Sequence, residues 1–508
     1  MDSDANREAP RSALIIIPAS SPTAKSLVRT ADPTDLTDPL GDPRWWVFST
    51  YFAQGFPYMV VRAMSSVFFT DVGMSERALG YLNFLGLPWN LKFLWAPFVD
   101  IYSTRRTWMI LIQALLTVLT ALLAGLCLLR GDGAGLPDAI LVWLFIVLAF
   151  LAATNDIAID GYYMEGISDP KQQAAYTGLR VTAYRLAMIV ARFGIILAVA
   201  EVAKHAFGGN LYSAWGCGFA AGAAVMAVLT ILHLVKLPRY QQPRERSVGG
   251  RHAGAAFLNS FAAYLEVSPR RSLIALVSAP LLGLALSAVL LALGVPGVQA
   301  LTYGFAFMLI ALLAQAKPAI ALSLAFIMFY KIGDEIIFSM GTPFLKRYLL
   351  VDNTQLAWMS GLLGLVGSII GTTIGGLWIK RTGLRRAIWP LTLLMNLNIL
   401  AYIWLAYERP LATSTLGFLT IGTVYTIEQI AAGLGNAVLI VYILRTCKPE
   451  FKAGHYAIGS AFMSVFSALF GGMGGVIVEQ VDYIGLFTIG FLASLPAMAL
   501  LFFVRVKD

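Results

Sequence analysis

The chain has 508 residues, of which 58% are apolar and only 13% are charged, and its mean hydropathy is +0.73. Because soluble domains hold about 45–50% apolar and about 25% charged residues, this composition excludes a soluble enzyme or binding module and indicates a polytopic membrane protein. The net charge of +9 is assigned to membrane topology and not to nucleic acid, and three widely separated cysteines exclude a disulfide framework.

Apolar stretches long enough to cross a bilayer recur along the chain after a polar tail at residues 1–44, which we expect to be disordered and not a signal peptide. About 20 apolar residues, at 1.5 Å each, span about 30 Å of hydrocarbon, and none of these stretches alternates as a barrel strand does. The sequence therefore predicts an all-α protein with about fourteen transmembrane helices, at residues 45–69, 77–98, 107–129, 137–159, 173–200, 212–235, 272–294, 299–316, 318–344, 355–379, 386–407, 413–444, 453–478 and 482–504.

Lysine and arginine concentrate in every second loop, most densely at residues 237–271. Because basic residues accumulate on the cytoplasmic side of membrane proteins, this alternation predicts that both termini are cytoplasmic.

Two basic turns resemble each other, one after the second predicted span and one after the tenth. Once residues 272–316 are set aside as an inserted helix pair, each turn follows the second helix of a six-helix half. This predicts two pseudo-symmetric six-helix bundles at 45–236 and 317–508, the pattern of the major facilitator superfamily. In that superfamily such turns lie outside the central cavity, so their charged residues are expected to control conformational switching: Asp100, Arg105, Arg106, Arg381 and Arg385.

Several motifs carry a closer resemblance: Phe56-Pro57, Leu91-Lys92-Phe93-Leu94-Trp95-Ala96-Pro97, Asn155-Asp156, Ala183-Tyr184-Arg185, Tyr330-Lys331 and Ile427-Glu428-Gln429. With these motifs the chain resembles the AmpG muropeptide permease family, in a wider group that includes acetyl-CoA transporters. The resemblance runs from about residue 45 to 505, and the 272–316 pair departs from it. It implies a transporter of the bacterial inner membrane that imports anhydro-muropeptides from cell-wall turnover together with protons, by alternating access and without a cofactor.

Charged residues inside the predicted spans are the candidate functional residues, because a charge at the bilayer centre costs roughly 2.5–3.5 kcal/mol. Asp156 and Asp160 lie four residues apart on one helix face, and Arg180 or Arg185 can lie opposite them. For Asp156, Asp160 and Arg180, a structural ion-pair network and a functional role are both open. Lys331 lies three and four residues before Asp334 and Glu335, so one of these acids can pair with it and the other needs a second partner.

Two roles follow from these charges. Cations in a wet cavity bind an anionic ligand, which predicts substrate binding by Lys92, Arg185, Lys331 and Arg62, with aromatic stacking on Tyr184, Trp95 and Tyr330. Arg62 lies near a span end and could instead extend to the membrane surface, and Arg192 is as well explained by a structural role.

A carboxyl group in a low-dielectric cavity favours its neutral form and can load and release a proton. Glu428, Asp334 and Glu335 are the candidate proton carriers. Glu428 is preferred because its neighbours in sequence carry no positive charge, whereas Asp334 has Lys331 nearby. The alternative is that Glu428 forms a salt bridge with Arg185 or Lys331.

Other functions remain open at this point. The substrate could be another bulky anion, such as acetyl-CoA or a siderophore, and a non-transporting sensor or a membrane-bound glycosyl-transfer enzyme is a hypothesis of another class. No Walker A, nucleophile-elbow, HExxH or metal-ligand motif occurs, so we predict a transporter that is not an enzyme. We also expect it to be a monomer. The uncharged pair at 272–316 is expected to face lipid outside the core, with Ser287 and Tyr303 away from the central cavity.

Overall fold

The computed structural model describes residues 42–101, 103–167, 169–239, 250–448, 452–504 and 506, and the regular secondary structure of these residues is helical throughout. The predicted tail at 1–44 falls almost entirely outside the described residues, as does the 240–249 part of the predicted basic loop.

The amino-terminal half is built from helices of which several are interrupted inside the apolar stretch. A π-helical segment at Val60–Met64 separates the first two helices, 3₁₀ segments at Leu82–Gly86 and Lys92–Leu94 divide the next three, and a π-helical segment at Val190–Ile195 divides a later pair. The helices are α1 (Pro43–Met59), α2 (Ser65–Asp71), α3 (Glu76–Tyr81), α4 (Leu87–Leu91), α5 (Ala96–Ile101), α6 (Arg105–Gly131), α7 (Asp138–Gly166), α8 (Pro170–Ile189), α9 (Ile196–His205) and α10 (Leu211–Lys236).

Three helices precede the carboxy-terminal half: α11 (Gly250–Leu265), α12 (Pro269–Ala292) and α13 (Gly297–Gln315). The carboxy-terminal half has π-helical segments at Phe344–Tyr348 and Ala357–Leu363. Its helices are α14 (Pro318–Tyr330), α15 (Ile332–Pro343), α16 (Asn353–Leu356), α17 (Gly364–Thr382), α18 (Leu384–Leu397), α19 (Ile399–Glu408), α20 (Thr415–Thr446) and α21 (Lys452–Leu500).

Ten helical segments of the described residues are long and apolar enough to cross a membrane, at Arg105–Gly131, Asp138–Gly166, Lys171–Ala203, Leu211–Lys236, Pro269–Ala292, Gly297–Gln315, Asn353–Thr382, Leu384–Glu408, Thr415–Thr446 and Ile458–Leu500. The predicted spans at 45–69, 77–98 and 318–344 coincide with interrupted helices. The last two predicted spans, 453–478 and 482–504, both lie in α21, which is kinked at Asp482 (φ 59°). The protein is therefore an all-α, multi-pass membrane protein, as the sequence predicts.

Glycines bring helix backbones into direct contact where the bundle is tightest. A Cβ atom on Gly371 of α17 would lie 2.0 Å from the carbonyl oxygen of Ile430 on α20, and one on Gly475 of α21 would lie 1.9 Å from the carbonyl oxygen of Glu76 on α3. Small residues at such crossings allow packing without a side chain between the helices. The second contact joins the two halves directly.

The helices α12 and α13 of the inserted pair pack on each other through small residues. The Ser287 hydroxyl donates to the carbonyl oxygens of Gly283 and Ala300, both at 3.1 Å, and Tyr303 is 44% exposed. Ser287 also lines an apolar cavity of about 490 Å³ shared with Phe84, Leu87 and Leu469 of the two halves. That cavity is separate from the two charged cavities described below.

Candidate functional site

A cavity of about 630 Å³ lies beside α7 and α8, and we call it the amino-terminal cavity. Both predicted acids meet cations or hydrogen-bond donors there: Asp156 contacts the Lys92 ammonium and accepts from the Gln54 amide, while Asp160 accepts from the Tyr51 hydroxyl at 2.9 Å. The cavity is lined by Tyr51, Gln54, Lys92, Asp156, Asp160, Thr177, Arg180, Val181, Tyr184, Arg185, Met188, Leu365, Ser368 and Ile369.

The two arginines of α8 in this cavity are held differently. Arg180 lies 3.4 Å from Asp160 and stacks on the rings of Tyr51 and Tyr163, each 4.3 Å from its guanidinium carbon. Arg185 lines the cavity but has no ion pair and no hydrogen bond among the described residues. Its charge is thus available to an anionic ligand, whereas Arg180 is part of the ion-pair network.

A second cavity, of about 270 Å³, lies between the two halves, and we call it the central cavity. It is lined by Tyr58, Arg62, Arg192, Lys331, Asp334, Glu335, Ile337, Phe338, Gly341, Thr342, Leu345, Leu356, Ser360, Ser368, Tyr402, Tyr425, Glu428, Gln429, Ala432 and Asn436. Ser368 lines both cavities, and the ring centroids of Tyr58 and Tyr184 lie 6.2 Å apart across them. The two cavities are therefore adjacent.

Two ion pairs in the central cavity give Asp334 and Glu335 a partner each, as the sequence predicts. Lys331 Nζ lies 2.7 Å from Asp334 and donates to Asn436 at 2.8 Å. Glu335 has the second partner that it needs, because Arg62 lies 3.6 Å away. Arg62 also donates to the backbone and side-chain oxygens of Asn83 at 2.7 and 3.1 Å, so it points between the halves and not to the membrane surface.

Glu428 is buried in the central cavity, with 5% of its surface exposed, and accepts a hydrogen bond of 2.7 Å from the Gln429 amide. Within the described part of the chain it makes no ion pair within 4.0 Å. The salt bridge to Arg185 or Lys331, considered from the sequence, is therefore not formed in this conformation.

Two predicted aromatic residues lie outside both cavities. Tyr330 is fully buried and donates to the backbone oxygen of Gly435 at 3.2 Å, in the packing between α14 and α20. Trp95 donates to Thr154 at 3.1 Å and packs on the exposed ring of Phe150. A stacking role for either residue stays a prediction, with Tyr184 the better placed of the three.

Three ion pairs that the sequence did not suggest join the halves at one end of the bundle, and we call them the closing ion pairs. Lys346 lies 2.7 Å from Asp71, Arg347 lies 3.0 Å from Glu76, and Arg77 lies 2.7 Å from Glu479. In the sequence these residues are noticeable only as a few charges at the ends of predicted spans, next to loops that are otherwise poor in lysine and arginine.

The predicted switching residues lie at the opposite end. Arg105 lies 2.7 Å from Glu165, and Arg106 donates to backbone oxygens at the end of α10, so both contacts remain inside the amino-terminal half. Arg381 and Arg385 are exposed at the matching end of the other half. The side chain of Asp100 lies outside the described residues. No group of three or more metal-ligating side chains occurs in the part of the chain that the structure describes.

Comparisons with known proteins agree with this architecture. The family described as "Acetyl-coenzyme A transporter 1" matches residues 45–200. The anhydromuropeptide permease of Escherichia coli K12 is 23% identical over 89% of this chain and 78% of its own length. The "putative transporter AmpG 4" of Rickettsia felis is 22% identical over 91% and 96%, and an uncharacterized protein of Haemophilus influenzae is 26% identical over 90% and 92%.

Solved structures share the fold at low sequence identity. An auto-inhibited POT family peptide transporter superposes with a TM-score of 0.62 at 14% identity, covering 92% of this chain and 98% of its own. A variant of the nucleoside transporter NupG gives 0.57 at 14% identity, covering 91% and 100%. The predicted fold class and the predicted resemblance are both confirmed. The chain resembles the AmpG-type permeases over about nine tenths of its length, and its fold is that of the major facilitator superfamily.

Proposed function

We propose that this protein is a proton-coupled secondary transporter that imports anhydro-muropeptides across the bacterial inner membrane. The observation that carries the proposal is the central cavity, where three cations and three acids meet between two halves built of membrane-spanning helices. Charges within membrane-spanning segments mark ion and substrate pathways. The protein acts as a monomer with both termini in the cytoplasm, and it leaves its substrate chemically unchanged.

The closing ion pairs support a transport cycle with alternating access. Under the predicted topology, the end of the bundle that holds Asp71 and Lys346 faces the periplasm. The conformation described here is then closed to the periplasm, and substrate leaves the cavities toward the cytoplasm. Import requires the closing ion pairs to break and reform once in each cycle.

The amino-terminal cavity supports a substrate with both a sugar and an anionic group. Its volume of about 630 Å³ is within the usual range for small-molecule sites, Tyr184 offers an aromatic face, and Arg185 offers an uncommitted guanidinium. An anhydro-muropeptide is an amino sugar that carries a short peptide with free carboxylates, and it satisfies both requirements. The similarity to the anhydromuropeptide permease of Escherichia coli favours this substrate.

Acetyl-CoA is the second candidate, because the acetyl-coenzyme A transporter family matches residues 45–200, which include most of the amino-terminal cavity. It is also a bulky anion with a planar ring to stack. A siderophore has no such observation in its favour.

The proton is expected to bind Glu428. Its carboxylate is buried without a cation within 4.0 Å in the described residues, and a carboxyl group in this setting gains from being neutral. Asp334 is less suited because its carboxylate is already paired with Lys331 at 2.7 Å. One proton moving through 100 mV supplies about 2.3 kcal/mol, enough for roughly a fiftyfold concentration ratio.

The test uses purified protein in liposomes with an imposed proton gradient. Labelled anhydro-muropeptide should accumulate only when the outside is acidic, and acetyl-CoA should not accumulate. Arg185→Ala is the variant that should lose uptake, and Lys317→Gln, which removes an exposed cation 2.9 Å from Glu266, is the matched control. Accumulation of acetyl-CoA alone would show that acetyl-CoA, and not anhydro-muropeptide, is the substrate. Recovery of a chemically altered ligand would indicate an enzyme.

A further inference from the structure

The central cavity contains one cation and one acid that its ion pairs do not use. Of its six charged side chains, Lys331 pairs with Asp334 and Arg62 pairs with Glu335. Arg192 and Glu428 remain. They carry opposite charges and line the same cavity, yet no ion pair joins them within 4.0 Å in the described residues.

Arg192 is held in the cavity with a hydrogen-bonding group unused. Its Nε is buried and has no hydrogen-bond partner among the described residues, which is costly for a charged group unless an anion completes the site. The residue belongs to the π-helical segment Val190–Ile195, and such segments are frequent at functional sites. Its neighbour Phe193 packs on Trp358, with ring centroids 5.0 Å apart, in the π-helical segment Ala357–Leu363 of the other half.

The groups that face Glu428 come from both halves. Gln429 donates to it, and the side chains within electrostatic range are Arg192 from the amino-terminal half and Lys331, Asp334, Tyr402 and Tyr425 from the carboxy-terminal half. The other charged and titratable groups that line the cavity are Tyr58, Arg62 and Glu335. Tyr425 also lies beside Arg192. Because Lys331 is already committed to Asp334, Arg192 is the cation left for Glu428.

We infer that Arg192 binds the anionic group of the substrate and that the ionised carboxylate of Glu428 competes with that group for Arg192. The body of the ligand then lies in the amino-terminal cavity, and its carboxylate reaches past Ser368 into the central cavity. The ligand's identity rests on the proposed function, whereas the competition between the two side chains does not.

Competition for Arg192 links proton binding to substrate binding. With all six side chains charged, the central cavity has three positive and three negative groups and is neutral. A proton taken from water by Glu428 leaves one positive charge in excess, which the substrate anion then neutralises. When Glu428 returns its proton to the cytoplasm, its carboxylate displaces the anion from Arg192. Because Arg192 and Glu428 lie in different halves, the exchange also changes the attraction between the halves.

The first test needs no ligand. A double-mutant cycle on purified protein compares Arg192→Gln, Glu428→Gln and the double variant by thermal unfolding. We expect the decrease in Tm of the double variant to be smaller, by about 2 °C or more, than the sum of the decreases in the two single variants. The reason is that each single variant leaves an unbalanced charge and the double variant does not. Arg192→Gln with Asp156→Asn, from the other cavity, should be additive. Additivity in the Arg192–Glu428 cycle would overturn the inference whatever the substrate.

The second test measures proton uptake on binding, by calorimetry in buffers of different ionisation enthalpy. The probes are an anhydro-N-acetylmuramyl peptide with a free terminal carboxylate and its terminal amide. Wild type should take up about one proton with the acid, and Glu428→Gln should bind it with uptake close to zero. Arg192→Gln should weaken the binding of the acid about tenfold to a hundredfold and the binding of the amide far less.

Equal losses for acid and amide in Arg192→Gln would overturn the assignment of Arg192. If wild type binds neither probe while the stability cycle is coupled, the proposed function fails and the charge exchange stands, with its anion still to be identified. If both probes bind but the cycle is additive, the proposed function stands and this inference fails.

Discussion

Removing the charge of Lys346 should open the end of the bundle that the closing ion pairs hold shut. The side chains of Lys346 and Asp71 are only 10% and 4% exposed, and their charged atoms lie 2.7 Å apart. Breaking a buried ion pair by removing one partner costs about 3–5 kcal/mol, because the other charge is left uncompensated. In Lys346→Gln, Asp71 keeps the Trp215 and Asn353 donors, both at 2.8 Å, which orient the carboxylate but do not neutralise it.

This penalty falls on one conformation only. Asp71 is buried while the halves are in contact and becomes hydrated once they separate, so the open conformation escapes the cost. A difference of about 3–5 kcal/mol shifts the ratio of two states by about a hundredfold to several thousandfold, at about 1.4 kcal/mol for each factor of ten. A shift of this size is enough to turn a minor conformation into a well-populated one.

The assay uses a cysteine in the central cavity as a reporter. Thr342→Cys, in protein whose natural Cys127, Cys217 and Cys447 are replaced by alanine, should react with a membrane-impermeant maleimide from the periplasmic side. Lys346→Gln should raise the reaction rate about tenfold or more.

Arg130→Gln provides a matched control for this reporter. It breaks the 2.5 Å ion pair with Asp138 inside the amino-terminal half, and it should leave the reaction rate unchanged. A lower Tm in Lys346→Gln with an unchanged labelling rate would refute the gating role and leave a purely structural ion pair.

Three further predictions concern the cavities and the packing around them. Arg185→Ala should abolish uptake with Tm within about 2 °C of wild type. Lys331→Ala should lose uptake and also lower Tm, because it leaves Asp334 buried without its cation. An equal decrease in Tm in the two variants would contradict this difference between the two cations. Glu428→Gln should lose gradient-driven accumulation in liposomes but retain exchange of labelled for unlabelled substrate, and full accumulation would exclude it as the proton carrier. Gly371→Ala should lower stability by about 1–3 kcal/mol by forcing α17 and α20 apart, measured by thermal unfolding, and a wild-type Tm would show that the crossing relaxes.

The features that depend on composition and helical spacing could be predicted from the sequence. The apolar stretches located the membrane-spanning segments, because a span needs little more than length and hydropathy. The spacing of Lys331, Asp334 and Glu335 correctly indicated that only one acid pairs with the lysine and that the other needs a second partner. Lys331 and Asp334 are only three residues apart, at the start of α15, so their pairing is local in sequence. The identity of Arg62 as the partner of Glu335 is not local and could not be predicted.

The rest depends on which surfaces meet in the folded bundle. The closing ion pairs join residues that are far apart in sequence, such as Asp71 and Lys346, and no local pattern brings them together. The π-helical and 3₁₀ interruptions carry no distinctive sequence signal, so the sequence predicts continuous helices there. Tyr330 shows the same limit, because an aromatic residue beside a lysine in an apolar span has the same sequence context whether it lines a cavity or packs in the core.

The ion pairs fall into two classes that together explain how charges can be kept in a protein that must rearrange within a membrane. Pairs such as Lys331–Asp334 and Lys92–Asp156 lie within one half, so they move with it and never need to break. Pairs such as Arg62–Glu335 and Asp71–Lys346 join the halves, so separation exposes them to water, which replaces the lost partner. A third kind of charge has no ion-pair partner in its own half and none across the interface. Only such a charge can bind a ligand or a proton without an ion pair being broken. Arg185, Arg192 and Glu428 meet that condition among the residues described in the two charged cavities, which is why the substrate and the proton are assigned to them.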